Sequence, residues 1–181
     1  MTQTMAPGPF AALIDDDLGE VIAQPDGRFT VVFERRLKKP IEKVWAALTV
    51  AERIADWFTP VDIDLRVGGV YRIRFEGMDA IDGKIVELEP PRRVVHTWPD
   101  STDPNGPDSL VSYVLEPDGD GCRLRFSQTN LPRMYLGAAA GWHTFFEALP
   151  GAAEGIRTPW SQARETQMGE RYKAILAAFP T

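Results

Sequence analysis

Cysteine is nearly missing from this chain. Cys122 stands alone among 181 residues, so no internal disulfide can close and no cysteine-rich zinc site can form. A reducing cytoplasm is the setting this implies. Histidine is almost as scarce, with only His96 and His143. No eighteen apolar residues run together, and MTQTMAPGPFAALIDDDLGE at the start has no basic region leading into an apolar one. Neither a membrane span nor a secretory leader is expected. Positive charge is in short supply as well: 20 Lys and Arg stand against 26 Asp and Glu, for a net charge of -6 and a pI near 5.0. Phosphate contacts need a basic face, so nucleic acid is an unsuitable partner. Also absent are G-x-x-x-x-G-K-[ST], G-x-S-x-G, H-E-x-x-H and a post-strand G-x-G-x-x-G, which removes the nucleotide-binding, serine-hydrolase and zinc-protease classes those motifs mark.

What is present is the make-up of an ordinary globular domain, 44% hydrophobic and 25% charged, long enough to bury a core without staples. Residues 1–19 mix Pro, Gly and Asp15-Asp16-Asp17 and read as a flexible arm; the acidic run is a solvated tail rather than a metal site. Residues 20–181 read as one domain. Pro25-Asp26-Gly27 is a turn between two β-rich runs, the second over about 28–37. Pro40 opens a helix whose Ile41, Val44, Trp45 and Leu48 form one apolar stripe, and Thr49 and Glu52 have capping-box spacing for a second short helix through Phe58.

From about 60 to 130 the period changes to two. Tyr71, Ile73 and Phe75 alternate with Arg72 and Arg74; Val94, His96 and Trp98 alternate with Val95 and Thr97; Leu124 and Phe126 alternate with Arg123 and Arg125. Such alternation marks antiparallel strands with one covered face and one wet face, so the arginines point outward. About six strands are expected here, seven in all. The last third is helical. Met134, Ala138, Gly141, Trp142, Phe145, Phe146 and Leu149 share one side of a helix ended by Pro150-Gly151, and 160–179 forms a final amphipathic helix on Tyr172, Ile175, Leu176 and Phe179. The whole is an α+β domain: a curved antiparallel sheet around a long helix, with two short helices after the first core strand and an extra C-terminal helix. A sheet so wrapped leaves room for a cavity near its open end.

The stretches FERRLKKPIEKVWAALTVAERIADWF, Gly68-Gly69 before YRIRF, DGKIVELEPPRRVVHTW, GCRLRFSQTNL and GWHTFFEAL, in that order over about residues 28–149, resemble the activator of heat shock protein 90 ATPase homologue family. That family belongs to the START-like superfamily, also called SRPBCC or Bet v 1-like. The resemblance implies a helix-grip fold that serves as a container for lipids, sterols or polyketides, with some members acting as cyclases or aromatases. It also implies a chaperone partner, although co-chaperones of this kind generally carry a further N-terminal domain and about 27 residues precede the matching stretch here.

Under that fold Trp57, Phe58, Tyr71, Ile73, Phe75, His96, Trp98, Tyr113, Phe126, Trp142 and Phe146 are the candidate ligand-binding residues. Trp57 and Phe58 are either core or a gate at the cavity mouth. His96 shares a strand face with Trp98 and is either a satisfied core histidine or a polar anchor for a ligand. Glu87 and Asp79 are carboxylates of undetermined direction. His143, one residue past Trp142, falls roughly 120° from the centre of its helix's apolar face at about 100° per residue, a flank or solvent position, with pocket lining or a general-base role as the alternatives. Catalytic residues cannot be assigned, and no cofactor or metal is implied. Three functions follow: a cytoplasmic binder of a small apolar or aromatic molecule; a cyclase-like or aromatase-like enzyme using His96, Tyr113 or an inward carboxylate; and a module stimulating a chaperone ATPase. The final helix either caps its own domain or pairs with a second copy in a homodimer.

Overall fold

The computed structural model describes residues 18–100 and 105–179; most of the expected arm, with Asp15-Asp16-Asp17, lies outside them. Strands β1 (Glu20–Ala23) and β2 (Phe29–Leu37) form the expected hairpin. Gly27 takes a positive φ of 82° in its turn, and the Arg28 N–H donates to the Asp26 carboxylate. Along β2 the side chains of Phe29, Val31, Phe33, Arg35 and Leu37 are buried. Strict alternation thus sends an arginine inward together with the hydrophobics.

Pro40 precedes α1 (Ile41–Thr49) as its N-cap. The expected capping box does not form: α2 (Ala51–Ile54) is capped by Val50 with no side-chain bond, and the Thr49 hydroxyl donates back to the Trp45 carbonyl at 2.7 Å. Thr49 is the last residue of α1, where an i−4 carbonyl is within reach, and that local bond wins over the cap. The remaining strands are β3 (Val61–Ile63), β4 (Val70–Ile73), β5 (Ile81–Glu89), β6 (Arg93–Trp98), β7 (Ser109–Asp118) and β8 (Gly121–Leu131). All eight make one antiparallel sheet in the order β1-β2-β8-β7-β6-β5-β4-β3. The count exceeds the expected seven because β1 joins the same sheet outside β2. Cys122 sits in the β2–β8 ladder opposite Leu37, 1% exposed.

A single 3-10 turn (Arg133–Tyr135) leads into α3 (Ala138–Ala152). Met134 lies in that turn, 67% exposed, and not on the apolar stripe of α3. Pro150 does not end the helix. It removes one backbone bond, but α3 runs on to Ala152 because Leu149 and Ala152, both fully buried, hold the last turn in place. Helix α4 (Gln162–Ala177) is capped by Ser161, whose hydroxyl accepts the Arg164 N–H. It starts later than expected and leaves Trp160 half-exposed before it. Helix α3 carries rings to the inner sheet face, and α4 packs on its back through buried Met168 and Tyr172. No helix among the described residues is long and apolar enough to cross a membrane.

Candidate functional site

Alternation along β4, β6, β7 and β8 turns Tyr71 and Ile73, Val94 and His96, Val111 and Tyr113, and Phe126 and Gln128 to one face, where α3 brings Trp142 and Phe146 against them. The eleven candidates do gather there. Phe75 and Trp98 stay half-buried, while the other nine are at most 8% exposed, so these two form the outer end of the cluster. Ring contact is continuous: Trp57 stacks on Phe146 at 5.9 Å, Phe146 on Trp142 at 5.8 Å, and Trp142 on Phe58 at 5.3 Å, with Phe126 4.4 Å from Trp142. Phe58 meets Phe75 at 5.7 Å and Trp98 at 6.3 Å toward the surface. The indole of Trp57 donates to the Ala47 carbonyl at 2.8 Å and that of Trp142 to the Gln128 side chain at 2.6 Å. In Trp57 and Trp142 the apolar faces are thus buried and the polar edges satisfied, as in an ordinary core.

His96 and Tyr113 are different. His96 lies flat on Tyr71, centroids 3.8 Å apart and planes 9° apart, and Tyr113 is 6.2 Å beyond on the other side. His96 Nδ1 is 3.0 Å from the carbonyl oxygen of Thr97. A carbonyl only accepts, so Nδ1 bears the hydrogen and Nε2 is left as a lone-pair acceptor. That Nε2 and the Tyr113 hydroxyl are buried with no hydrogen-bond partner. Leaving such a group bare costs about 1–3 kcal/mol, and the two lie together on neighbouring strands. Burial pushes the His96 pKa from 6.5 down to about 4, against a smaller opposing effect of its bond to Thr97, so the ring is neutral. Burial, helped by the nearby Tyr71 hydroxyl, holds the Tyr113 phenol well above its usual range. Tyr71 is raised by burial alone.

Strand β5 keeps this geometry through Gly83. A Cβ there would come within 2.2 Å of the Thr97 carbonyl oxygen, the atom that orients His96. The sequence signal was available, a glycine facing inward opposite Tyr71 in the strand IDGKIVELE, but its partner carbonyl was not.

Clefts among the described residues open to solvent, and His96 and Tyr113 line neither of the following two. One, of about 260 Å³, lies beside α3 between Phe145, Trp57, Trp160 and the Glu147–Arg164 pair. The other, of about 440 Å³, is on the outer sheet face around Val95, Leu110 and Val114, edged by Glu87, Arg93, Glu116 and Arg125. The outward arginines are as expected: Arg72 pairs with Asp82, Arg74 with Asp62, and Arg123 with Glu34. Glu87 also faces out, 2.6 Å from Arg93, and Asp79 is exposed; neither carboxylate enters the interior.

The placement of His143 is overturned. It is fully buried, with Nδ1 2.9 Å from the Tyr172 hydroxyl, because α4 covers the side of α3 taken for a solvent face. Arg35 was missed. It is 1% exposed, donates to the Glu34 carbonyl and lies 5.0 Å over the Phe33 ring.

Comparisons with known proteins follow this architecture. The family model described as activator of Hsp90 ATPase homolog 1-like protein matches residues 38–154. Protein MLL2253 from Mesorhizobium loti is 33% identical, over 69% of this chain and 96% of that one, with a TM-score of 0.64. CalU16 from Micromonospora echinospora is 27% identical, over 88% and 99%, with a TM-score of 0.68. DynU16, from the dynemicin biosynthetic locus, shares the fold at 24% identity and 0.62, the match spanning 74% of this chain and about half, 51%, of DynU16. No curated protein matches the chain. With the helix-grip arrangement of sheet and α3 and a match over well above half its length, the chain belongs to the activator of Hsp90 ATPase homolog 1-like family of START-like proteins.

Proposed function

We propose that this protein binds a small, mostly apolar aromatic molecule between the curved sheet and α3, entering past Phe58, Phe75 and Trp98. The observation that carries this reading is the pair of bare polar atoms, His96 Nε2 and the Tyr113 hydroxyl, inside the aromatic core. A core built for stability alone would replace them with apolar groups or give them partners. A bound molecule with one polar group supplies those partners and gains apolar burial of about 25 cal/mol per Å². The half-buried rings of Phe75 and Trp98 are the ones of this cluster that border solvent.

Binding is favoured over a cyclase-like or aromatase-like reaction by the electrostatics of the same pair. A general acid or base works best with a pKa near the working pH. His96 is pushed to about 4 and Tyr113 is held well above its usual range, so at neutral pH neither exchanges a proton readily. They suit recognition.

The test is a panel of flat aromatic compounds added to the pure protein while thermal midpoint and tryptophan emission are followed. Binding raises the midpoint by several degrees at a hundredfold excess over Kd, about 2.7 kcal/mol, and perturbs the emission of Trp98 and Trp142. A panel that leaves both signals unmoved refutes the reading.

A further inference from the structure

We propose that the polar group recognised in this interior is a neutral hydroxyl on an aromatic ring, donating its hydrogen to His96 Nε2 and accepting from the Tyr113 hydroxyl. The inference rests on the ligand-binding reading above and narrows it to a class of guest.

The geometry sets the requirement. Thr97's carbonyl takes the Nδ1 hydrogen of His96, so the atom facing inward without a partner is an acceptor that needs a donor. The bare Tyr113 hydroxyl, on a ring centred 6.2 Å from that of His96, can give one hydrogen and take another. A hydroxyl answers both groups at once. An ether oxygen answers Tyr113 and leaves His96 bare. A carboxylate also answers only Tyr113, and sets its charge against the Nε2 lone pair.

Nor is there a counter-charge at hand. The nearest inward cation on the sheet, Arg35, is on β2, two strands from Tyr113 across β8, and is engaged at the Glu34 carbonyl and over Phe33. The indole N–H groups of Trp57 and Trp142 are committed to Ala47 and Gln128. An anion would therefore lose its hydration and gain too little in return. The flat Tyr71–His96 stack and the adjoining Trp98 and Phe75 rings favour a guest that presents its hydroxyl from the edge of a planar ring.

The experiment is a titration of the full chain, at neutral pH, with four probes: β-naphthol, its methyl ether, naphthalene and the naphthoate anion. It is repeated on Tyr113→Phe and His96→Leu, with the thermal midpoint of each variant measured first. β-Naphthol is expected to bind at least about tenfold more tightly than each of the other three. In Tyr113→Phe that margin narrows while naphthalene binds as before. Equal affinity for β-naphthol and its ether overturns the inference but leaves an apolar binding site standing. So does tighter binding of naphthoate, or a margin untouched by both variants when they fold. If none of the four probes binds, the ligand-binding reading itself fails and takes the inference with it. Should a variant not fold, the wild-type series alone still decides between hydroxyl, ether and anion.

Discussion

Gly83 shows how tightly a single position can bind geometry to chemistry. Its missing side chain leaves space for the Thr97 carbonyl, and that carbonyl fixes which nitrogen of His96 bears hydrogen. Gly83→Ala is expected to lower stability by more than about 2 kcal/mol, since the added carbon meets backbone rather than a movable side chain; urea unfolding measures it. His96 itself makes a second prediction. Its folded pKa of about 4 lies below the usual 6.5, so between those values the unfolded chain binds the proton and the folded chain does not. Stability on this account is full above pH 6.5 and falls as pH drops toward 4, by roughly 3 kcal/mol. The lowered carboxylates Asp62, Asp82, Glu87 and Glu154 act in the same sense but at lower pH. Comparison of wild type with His96→Leu across that window isolates the histidine: the slope should flatten in the variant, and an unchanged slope refutes the assignment. Alternation in RVVHTW was enough to read His96 as inward. The bare Nε2 depends on the carbonyl of the next residue, Thr97, and on the room that Gly83 of the neighbouring strand leaves for it, and alternation encodes neither.

At the scale of the element, α3 is the instructive case. The apolar stripe of Trp142, Phe146 and Leu149 was legible and faces the sheet as read. Its other side was not, because periodicity reasoning assumes one covered face. The signal lay in composition: between Ala138 and Ala152 the one charged side chain is Glu147, and Ala139, Ala140, Ala148 and Ala152 let another helix approach closely. A helix with so little polar surface is covered all round. Helix α4 provides that cover. Arg164 forks onto the Glu147 carboxylate, and the Tyr172 hydroxyl accepts the Gly19 N–H at 2.7 Å while bonded to His143. Gly19 itself fits against the Phe33 ring because it has no Cβ to clash. Tyr172→Phe leaves a backbone donor and a histidine nitrogen short of a buried partner. A loss of about 1–3 kcal/mol is expected, with faster amide exchange at Gly19; unchanged exchange there would show that Tyr172 does not tie the start of β1 to α4.

Over the whole molecule, sheet order separates two functions of the same strands. Outward residues of β2, β4, β5 and β8 form cross-strand ion pairs, while their inward neighbours build the aromatic interior. This division was legible, since period two settles which residues share a face, and the START-like resemblance supplied the closure of the sheet on α3. The packing of that interior was not legible. Whether a ring lines a hollow or fills it depends on the contacts of Trp57, Phe58 and Phe126 with rings from distant segments, and sequence spacing carries no such distances.

Cys122, buried in the β2–β8 ladder opposite Leu37, has its thiol pushed up to about 11 by burial, with smaller effects of Glu42 and Asp118. Thiolate is the reactive species, so in the folded chain a disulfide reagent such as dithionitrobenzoate should react orders of magnitude more slowly than in urea; rapid native labelling would contradict that burial. The sole sulfhydryl thus works as a built-in clock on the β2–β8 seam. Each modification event times one parting of those two strands, and any compound that clamps the interior shut should slow its ticking.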